Sequence, residues 1–242
     1  MGGRTGVSAA PSKESSQIQA MFHDISSRYD LVNSVMTGGR HHAWRRAAAL
    51  EAAKDLAGGG WALDACCGTG DFALAVLREA PSARVAATDF TRGMLEVAKK
   101  KVGSAPVSLG RADTLRLPFR DAAFRTATVG WGIRNVSDTA AALRELARVL
   151  APGGRLHVLE SGPPQGCLGR LGFNMLCRGV VPWLGRLITG SKHDAYAYYR
   201  DSVAAHLTAS QFADLVRASG FAEVAIRSFA FGGVTLHSAK KP

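Results

Sequence analysis

The stretch Trp61-Ala-Leu-Asp-Ala-Cys-Cys-Gly-Thr-Gly-Asp71 decides how the chain is read. It reads as a buried strand, a tight turn of small residues and a helix start. A second strand, Arg84-Val-Ala-Ala-Thr-Asp89, ends in an acid 25 positions after Asp64. Glycines in such a turn let backbone approach a ligand where a side chain would clash. An acid at the tip of the neighbouring strand can accept both hydroxyls of a ribose. The two features predict a site for a nucleoside-bearing cofactor, built from Asp64, Gly68, Thr69, Gly70, Asp71 and Asp89.

Glycine spacing narrows the cofactor. A dinucleotide site wants G-x-G-x-x-G, with helix-start amides facing a pyrophosphate. Only Gly68 and Gly70 are present, and Asp71 follows at once. A carboxylate there repels a pyrophosphate but suits a ligand carrying an ammonium or sulfonium. That favours S-adenosylmethionine over NAD. Asp71 also reads as a plain helix-start acid, and Asp89 as a strand-end cap.

With 242 residues, 47% of them apolar, the chain holds one domain with a normal core. The formal charge of +11 favours anionic partners without choosing among them. Lysines and arginines are scattered and not interleaved with aromatics, so no nucleic acid is expected. Cys66, Cys67, Cys167 and Cys177 include no C-x-x-C pair, which suits a reducing compartment and offers no zinc ligand spacing. No metal is expected. Residues 1–20 are small and polar and read as a disordered tail, without a secretory core. No run of about 18 apolar residues is present to span a bilayer. A cytoplasmic protein is expected.

Strands and helices alternate from residue 61 onward, the pattern of a mainly parallel sheet covered on both faces. The expected helices are Arg92 to Lys101, Thr139 to Leu150 and Ala209 to Ser219, the last closed by Gly220. Short strands are expected at Val107 to Leu109, Phe124 to Trp131 and Arg155 to Leu159, the last entered through the turn Pro152-Gly153-Gly154. Residues 222–230 and 233–240 read as a closing hairpin around Gly232-Gly233. Residues 21–57 form a helical cap before the first strand, and 163–200 an insertion.

These motifs resemble the class I S-adenosylmethionine methyltransferases, specifically the ubiquinone/menaquinone biosynthesis C-methyltransferases. The resemblance spans Met21 to Lys240. It rests on Ser27-Arg28-Tyr29-Asp30-Leu31-Val32-Asn33, His41 and Trp44, Asp64 to Asp71, Asp89 to Leu95 and Leu117-Pro118-Phe119. Gly132-Ile133-Arg134-Asn135-Val136 and Arg148 through Gly154 to Glu160 complete it. It implies a Rossmann-like α/β fold, with a mainly parallel seven-stranded sheet and an antiparallel C-terminal hairpin. Several positions depart from the family: Val32 for methionine, Thr37 for serine, Cys66 for alanine, Ala151 for lysine, Ser161-Gly162 for Phe-Ser, and Gly130 where a serine often contacts the cofactor.

The resemblance also implies the chemistry, transfer of a methyl group to a ring carbon of a prenylated quinol. Asp113 and Thr114 should meet the adenine amino group, although Asp113 also reads as a turn start. Arg134 would stabilise a phenolate or hold a water that takes its proton, with Asn135 orienting it; an arginine merely tied to a loop acid is the plainer reading. Tyr29 and Asp30 would close over the methyl donor. His41 is a candidate base or a packing residue. Tyr196, Tyr199 and Ser202 would line the substrate pocket. The apolar segment Cys167 to Ile188, with Arg170, Arg178 and Arg186 at eight-residue spacing, reads as a wall for the isoprenoid tail that touches the membrane surface. A packed lid or a homodimer contact reads equally well. Two other functions stay open: methylation of a different aromatic small molecule, and a non-catalytic cofactor-binding subunit of a quinone-biosynthesis assembly.

Overall fold

The computed structural model describes residues 29–164 and 195–242, together with Ala20, Phe22, Asp24, Ser26 and Gly166. The expected tail, the Met21 and Ser27-Arg28 positions, Cys167, Cys177 and the three arginines of the insertion lie outside the described residues, as does the side chain of Tyr196.

Two helices precede the sheet, α1 (Tyr29–Thr37) and α2 (Arg40–Asp55). Then come β1 (Gly60–Ala65), α3 (Asp71–Glu79), β2 (Ala83–Asp89), α4 (Arg92–Val102), β3 (Val107–Arg111) and β4 (Phe124–Gly130). A short 3-10 turn, Ile133–Asn135, leads to α5 (Thr139–Val149) and β5 (Leu150–Ser161). The chain closes with α6 (Ala195–Ala205), α7 (Ala209–Ala218), β6 (Ala222–Phe229) and β7 (Val234–Lys240).

The seven strands lie in the order β3-β2-β1-β4-β5-β7-β6. β1 to β5 are parallel, and β7 runs antiparallel to both β5 and β6. The expected mixed sheet and C-terminal hairpin are therefore present. Chain order reverses between β1 and β4, and in open α/β sheets ligands bind at the carboxyl ends of the strands that flank such a reversal.

Apolar side chains cover both faces of the sheet. On one face Leu143, Leu146 and Val149 of α5 and Phe212 and Val216 of α7 pack on Leu63, Ala127, Val129 and Leu156. On the other, α2 presents Ala48, Ala49 and Ala52 beside Phe72 and Val76 of α3. Small alanines on that stripe let α2 lie close to the sheet. Helix ends follow side-chain chemistry: Asp138 accepts the Ala141 N–H at 2.8 Å, and Thr208 with Gln211 forms a capping box on α7.

Three boundaries differ from the sequence reading. Leu150 was expected in the helix but opens β5, because it pairs with Phe124. Pro152-Gly153-Gly154 therefore lies within β5, where the register shifts between Phe124 and Thr126. The Lys241 N–H donates to the Gly154 carbonyl at 2.8 Å there, and the Gly153 N–H donates to the Lys241 carbonyl at 2.9 Å. Strand β3 runs on to Arg111, two residues past its expected end. The hairpin turns through Ala230–Gly232, with Phe231 in the left-handed region at φ 54°.

Cys66 also has a positive φ, 54°. Its side chain fills the space beside Gly132, where an added Cβ would lie 2.3 Å from the Cys66 Cβ. Overpacking of this kind costs about 1–3 kcal/mol. Gly132→Ala is expected to lower stability by about that amount, measured by urea denaturation, and Cys66→Gly in the same chain should recover part of the loss.

Candidate active site

Two carboxylates hold the turn after β1. Asp64 is fully buried and accepts from the Ala73 N–H at 3.0 Å and the Thr128 hydroxyl at 3.0 Å. It supports the cofactor turn from beneath. Asp89, at the tip of β2, accepts the Gly68 N–H and the Thr91 N–H, each at 2.8 Å. Gly68 and Gly70 have φ of 54° and 82°, values that a side-chain-bearing residue adopts only with strain. A Cβ on Gly68 would meet nothing within 4 Å, so its backbone faces open space. A Cβ on Gly130 would lie 2.8 Å from Phe72 Cδ1, so that ring takes the volume of the absent serine side chain.

A charge cluster lies at the helix-start end of the turn. Thr69 donates to Asp30 Oδ1 at 2.8 Å. Lys101 Nζ, from the end of α4, reaches Asp30, Asp71 at 2.7 Å and the Thr69 hydroxyl at 2.9 Å. Arg45 of α2 pairs with the other Asp71 oxygen at 3.2 Å. Burial pushes the Asp71 carboxyl up, but Arg45 and Lys101 outweigh it and hold it below its ordinary value. The Thr69 hydroxyl thus sits between Asp30 and Lys101, and Lys101 links it to the Asp71–Arg45 pair. The sequence reading placed Asp30, Thr69 and Asp71 here but missed Arg45 and Lys101, because a lysine-rich helix end already has an explanation in the helix dipole.

Further along, Thr114 is buried with its hydroxyl 3.3 Å from Cys66 Sγ, and Asp113 accepts the Leu115 N–H at 2.9 Å. The turn-start reading of Asp113 is thus realised in geometry. Burial pushes the Cys66 thiol up to about 12, so it is no nucleophile at neutral pH.

Across the cleft, Arg134 is buried against Glu160, with Nη1 to Oε1 2.5 Å. Glu160 Oε1 also accepts the Ser161 N–H at 2.8 Å, and Arg134 Nη1 donates to the Trp131 carbonyl at 3.0 Å. Arg134 Nε reaches Ser202 Oγ at 3.4 Å, and its guanidinium lies 5.3 Å over the Tyr199 ring. Among the described residues Nη2 has no hydrogen-bond partner. Burial opposes the charge on Arg134, yet Glu160 holds its pKa above the ordinary value, so it stays a cation. Asn135 accepts from the Tyr198 hydroxyl at 2.7 Å, and Ser161 Oγ accepts from both Tyr199 and Trp131 at 3.1 Å. Glu160, Trp131 and Tyr198 were not singled out in the sequence. Burial raises the Tyr29 hydroxyl, against the pull of Asn33, Arg134 and Arg45, so it remains protonated.

His41 does not join this group. It is 2% exposed, and its Nδ1 lies 2.8 Å from the Thr37 hydroxyl at the α1–α2 junction. Burial and then Arg45 lower its pKa to about 4, so it stays neutral. The packing reading fits its burial, and among the described residues its Nε2 is buried without a hydrogen-bond partner.

A doubly wound sheet with a closing antiparallel hairpin, a glycine turn after β1 and an acid ending β2 define a class I S-adenosylmethionine-dependent methyltransferase. Solved structures share the fold. The [4+2]-cyclase SpnF matches with a TM-score of 0.67 at 20% identity, over 97% of this chain and 99% of that one. A Thermotoga maritima S-adenosylmethionine-dependent methyltransferase matches with 0.56 at 21%, over 92% and 100%.

The sequence profile of the ubiE/COQ5 methyltransferase family matches residues 10–241, and the chain belongs to that family. Demethylmenaquinone methyltransferases of Thermus thermophilus and Deinococcus radiodurans are 40% and 39% identical, covering 92% and 89% of this chain and 100% and 88% of theirs. The ubiquinone/menaquinone biosynthesis C-methyltransferase UbiE of Desulfotalea psychrophila is 38% identical over 91% of this chain and 88% of its own. The chain is an S-adenosylmethionine-dependent C-methyltransferase of quinone biosynthesis.

Burial pushes the Asp64 carboxyl up to about 7, against the bonds from Thr128 and Ala73. An unfolded aspartate titrates near about 3.9. Between those values the native state binds the extra proton, so the Asp64 contribution to stability falls as pH rises from about 4 to about 7. Denaturation midpoints across that range should show the decline, and Asp64→Asn should remove it. Asp89→Ala should weaken S-adenosylmethionine binding about tenfold or more by calorimetry while thermal unfolding stays cooperative.

Proposed function

We propose that this enzyme methylates the ring carbon of demethylmenaquinol, the reduced naphthoquinone, giving menaquinol. The carrying observation is the buried Arg134–Glu160 pair at the carboxyl ends of β4 and β5, in a chain whose relatives are named for that substrate. The cleft fits a cofactor with a zwitterionic end, since the Asp30, Thr69, Asp71, Lys101 and Arg45 cluster offers acceptors for an ammonium and donors for a carboxylate. Bound S-adenosylmethionine supplies an electrophilic methyl group whose bond to sulfur breaks as the bond to the ring carbon forms.

The protein has to hold that cofactor, orient the ring and favour the phenolate. Gly68 and Gly70 open the backbone to the adenosine side. Asp89 takes the ribose hydroxyls with its remaining lone pairs while its bonds to Gly68 and Thr91 fix its direction. Asp113 and Thr114 border the adenine. Arg134 is a permanent cation and cannot be the base. Its Nη2 donors stabilise the phenolate in a water-poor site, where charge stabilisation is strongest. Tyr29, kept protonated, and Asn135 add neutral hydrogen bonds. Tyr199 and Ser202 position Arg134 from the substrate side. The isoprenoid tail keeps the quinol in the bilayer, and the +11 charge draws the enzyme to an anionic membrane surface. Among the described residues no helix is long and apolar enough to cross a membrane.

Purified protein with methyl-labelled cofactor and a short-tailed demethylmenaquinol should yield ring-labelled menaquinol. A folded protein that labels none of it refutes the reading. Arg134→Ala should lower turnover about a hundredfold while changing cofactor affinity less than threefold; the reverse pattern removes Arg134 from the chemistry.

A further inference from the structure

Exchange of a ring hydrogen for a methyl group releases one proton per turnover. Beside Arg134, the carboxylate of Glu160 is 2% exposed and bound to that permanent cation. Behind Glu160 the structure has a small cavity, away from the cofactor turn. Glu160, Ser161, His206, Phe212, Thr235 and His237 line it.

His237 is the unexplained member. It is 2% exposed. Its Nε2 lies 2.9 Å from the Ala209 carbonyl, an acceptor only, so Nε2 carries the proton. Nδ1 is then a bare acceptor, and it is buried with no hydrogen-bond partner. A buried polar atom left unpaired costs about 1–3 kcal/mol, and a cavity lined by carboxylate, hydroxyl and imidazole groups takes a water that relieves it. The Phe212 ring packs edge-on at 4.9 Å and seals the α7 side. The titratable groups facing His237 are Glu160 from β5 and His206 beyond the end of α6; α7 presents none.

We infer that Glu160 and His237, joined through water in this cavity, form the exit for the proton released by ring methylation. The proton passes from the quinol side to the Glu160 carboxylate and then to His237 Nδ1. The imidazolium keeps its Nε2–H on Ala209 and returns the Nδ1 proton to solvent past half-buried His206. No oxidant or further reactant is needed. Burial, against the Ala209 bond, holds the His237 pKa below its ordinary value, so the ring is neutral between turnovers and ready to accept. His237 is a relay and touches no substrate; the inference rests on the proposed quinol methylation.

The test uses the full chain and His237→Gln, whose amide N–H can still donate to Ala209 but whose oxygen does not titrate. Histidine-labelled nitrogen NMR of the cofactor-free protein should show His237 as the Nε2–H tautomer at neutral pH. The variant should lose turnover about tenfold, keep cofactor affinity within twofold and show a larger solvent deuterium isotope effect. In His237→Gly, added imidazole should restore part of the rate. A wild-type His237 protonated on Nδ1 at neutral pH overturns the relay. So does a variant with more than half the wild-type turnover, or one whose losses in rate, affinity and melting temperature run in parallel with no change in isotope effect. Wild-type protein that methylates no quinol overturns the proposed function, and the relay with it.

Discussion

The turn from Cys66 to Gly70 is held by carboxylates on two sides, and the rest of the site is arranged around that restraint. Asp64 grips the first turn of α3 from beneath, and Asp89 grips the Gly68 amide from the neighbouring strand. Backbone in the left-handed region is not stable by itself. It persists here because three adjacent parallel strands fix where each carboxylate stands. Asp64 lies on β1, one of the two strands that flank the chain reversal, and bonds to Thr128 on the other, so the pairing that opens the cleft also supports the loop beside it.

Charge is balanced separately on the two walls of the cleft. The cofactor wall carries Asp30, Asp71, Lys101 and Arg45; the substrate wall carries Arg134 and Glu160. Each of these two clusters pairs its charges internally, where an unpaired buried charge would cost several kcal/mol. The first cluster is part-exposed and can exchange its internal bonds for those of a zwitterion. The second is almost fully buried and serves as a fixed field. That contrast fits a cofactor that enters and leaves and a catalytic cation that stays. Asp30 also ties α1 to the turn after β1, so Tyr29 beside it is placed by the same contact.

Much of the fold was legible because its signals are local. The glycine turn, the acid closing β2, the helix stripes and the final hairpin each depend on residues within one or two elements. The boundary at Leu150 was misread because helical spacing includes it, whereas pairing with Phe124 claims it for the sheet. His41 looked like a candidate base because residue type carries no information on burial. The plain reading of Arg134, an arginine tied to an acid, is what the geometry shows, since Glu160 holds it; the proposed role toward the quinol falls on the same residue.

Sequence alone determined the class of cofactor and the order of elements, since a G-x-G turn running into an acid tolerates few other ligands. Which charges meet was decided only by tertiary structure. Lys101 reaches Thr69 across 32 residues, Glu160 reaches Arg134 across 26, and His237 comes to line the same cavity as Glu160 only once β7 is inserted between β5 and β6. Those meetings follow from strand order, a long-range property that no window of neighbouring residues encodes.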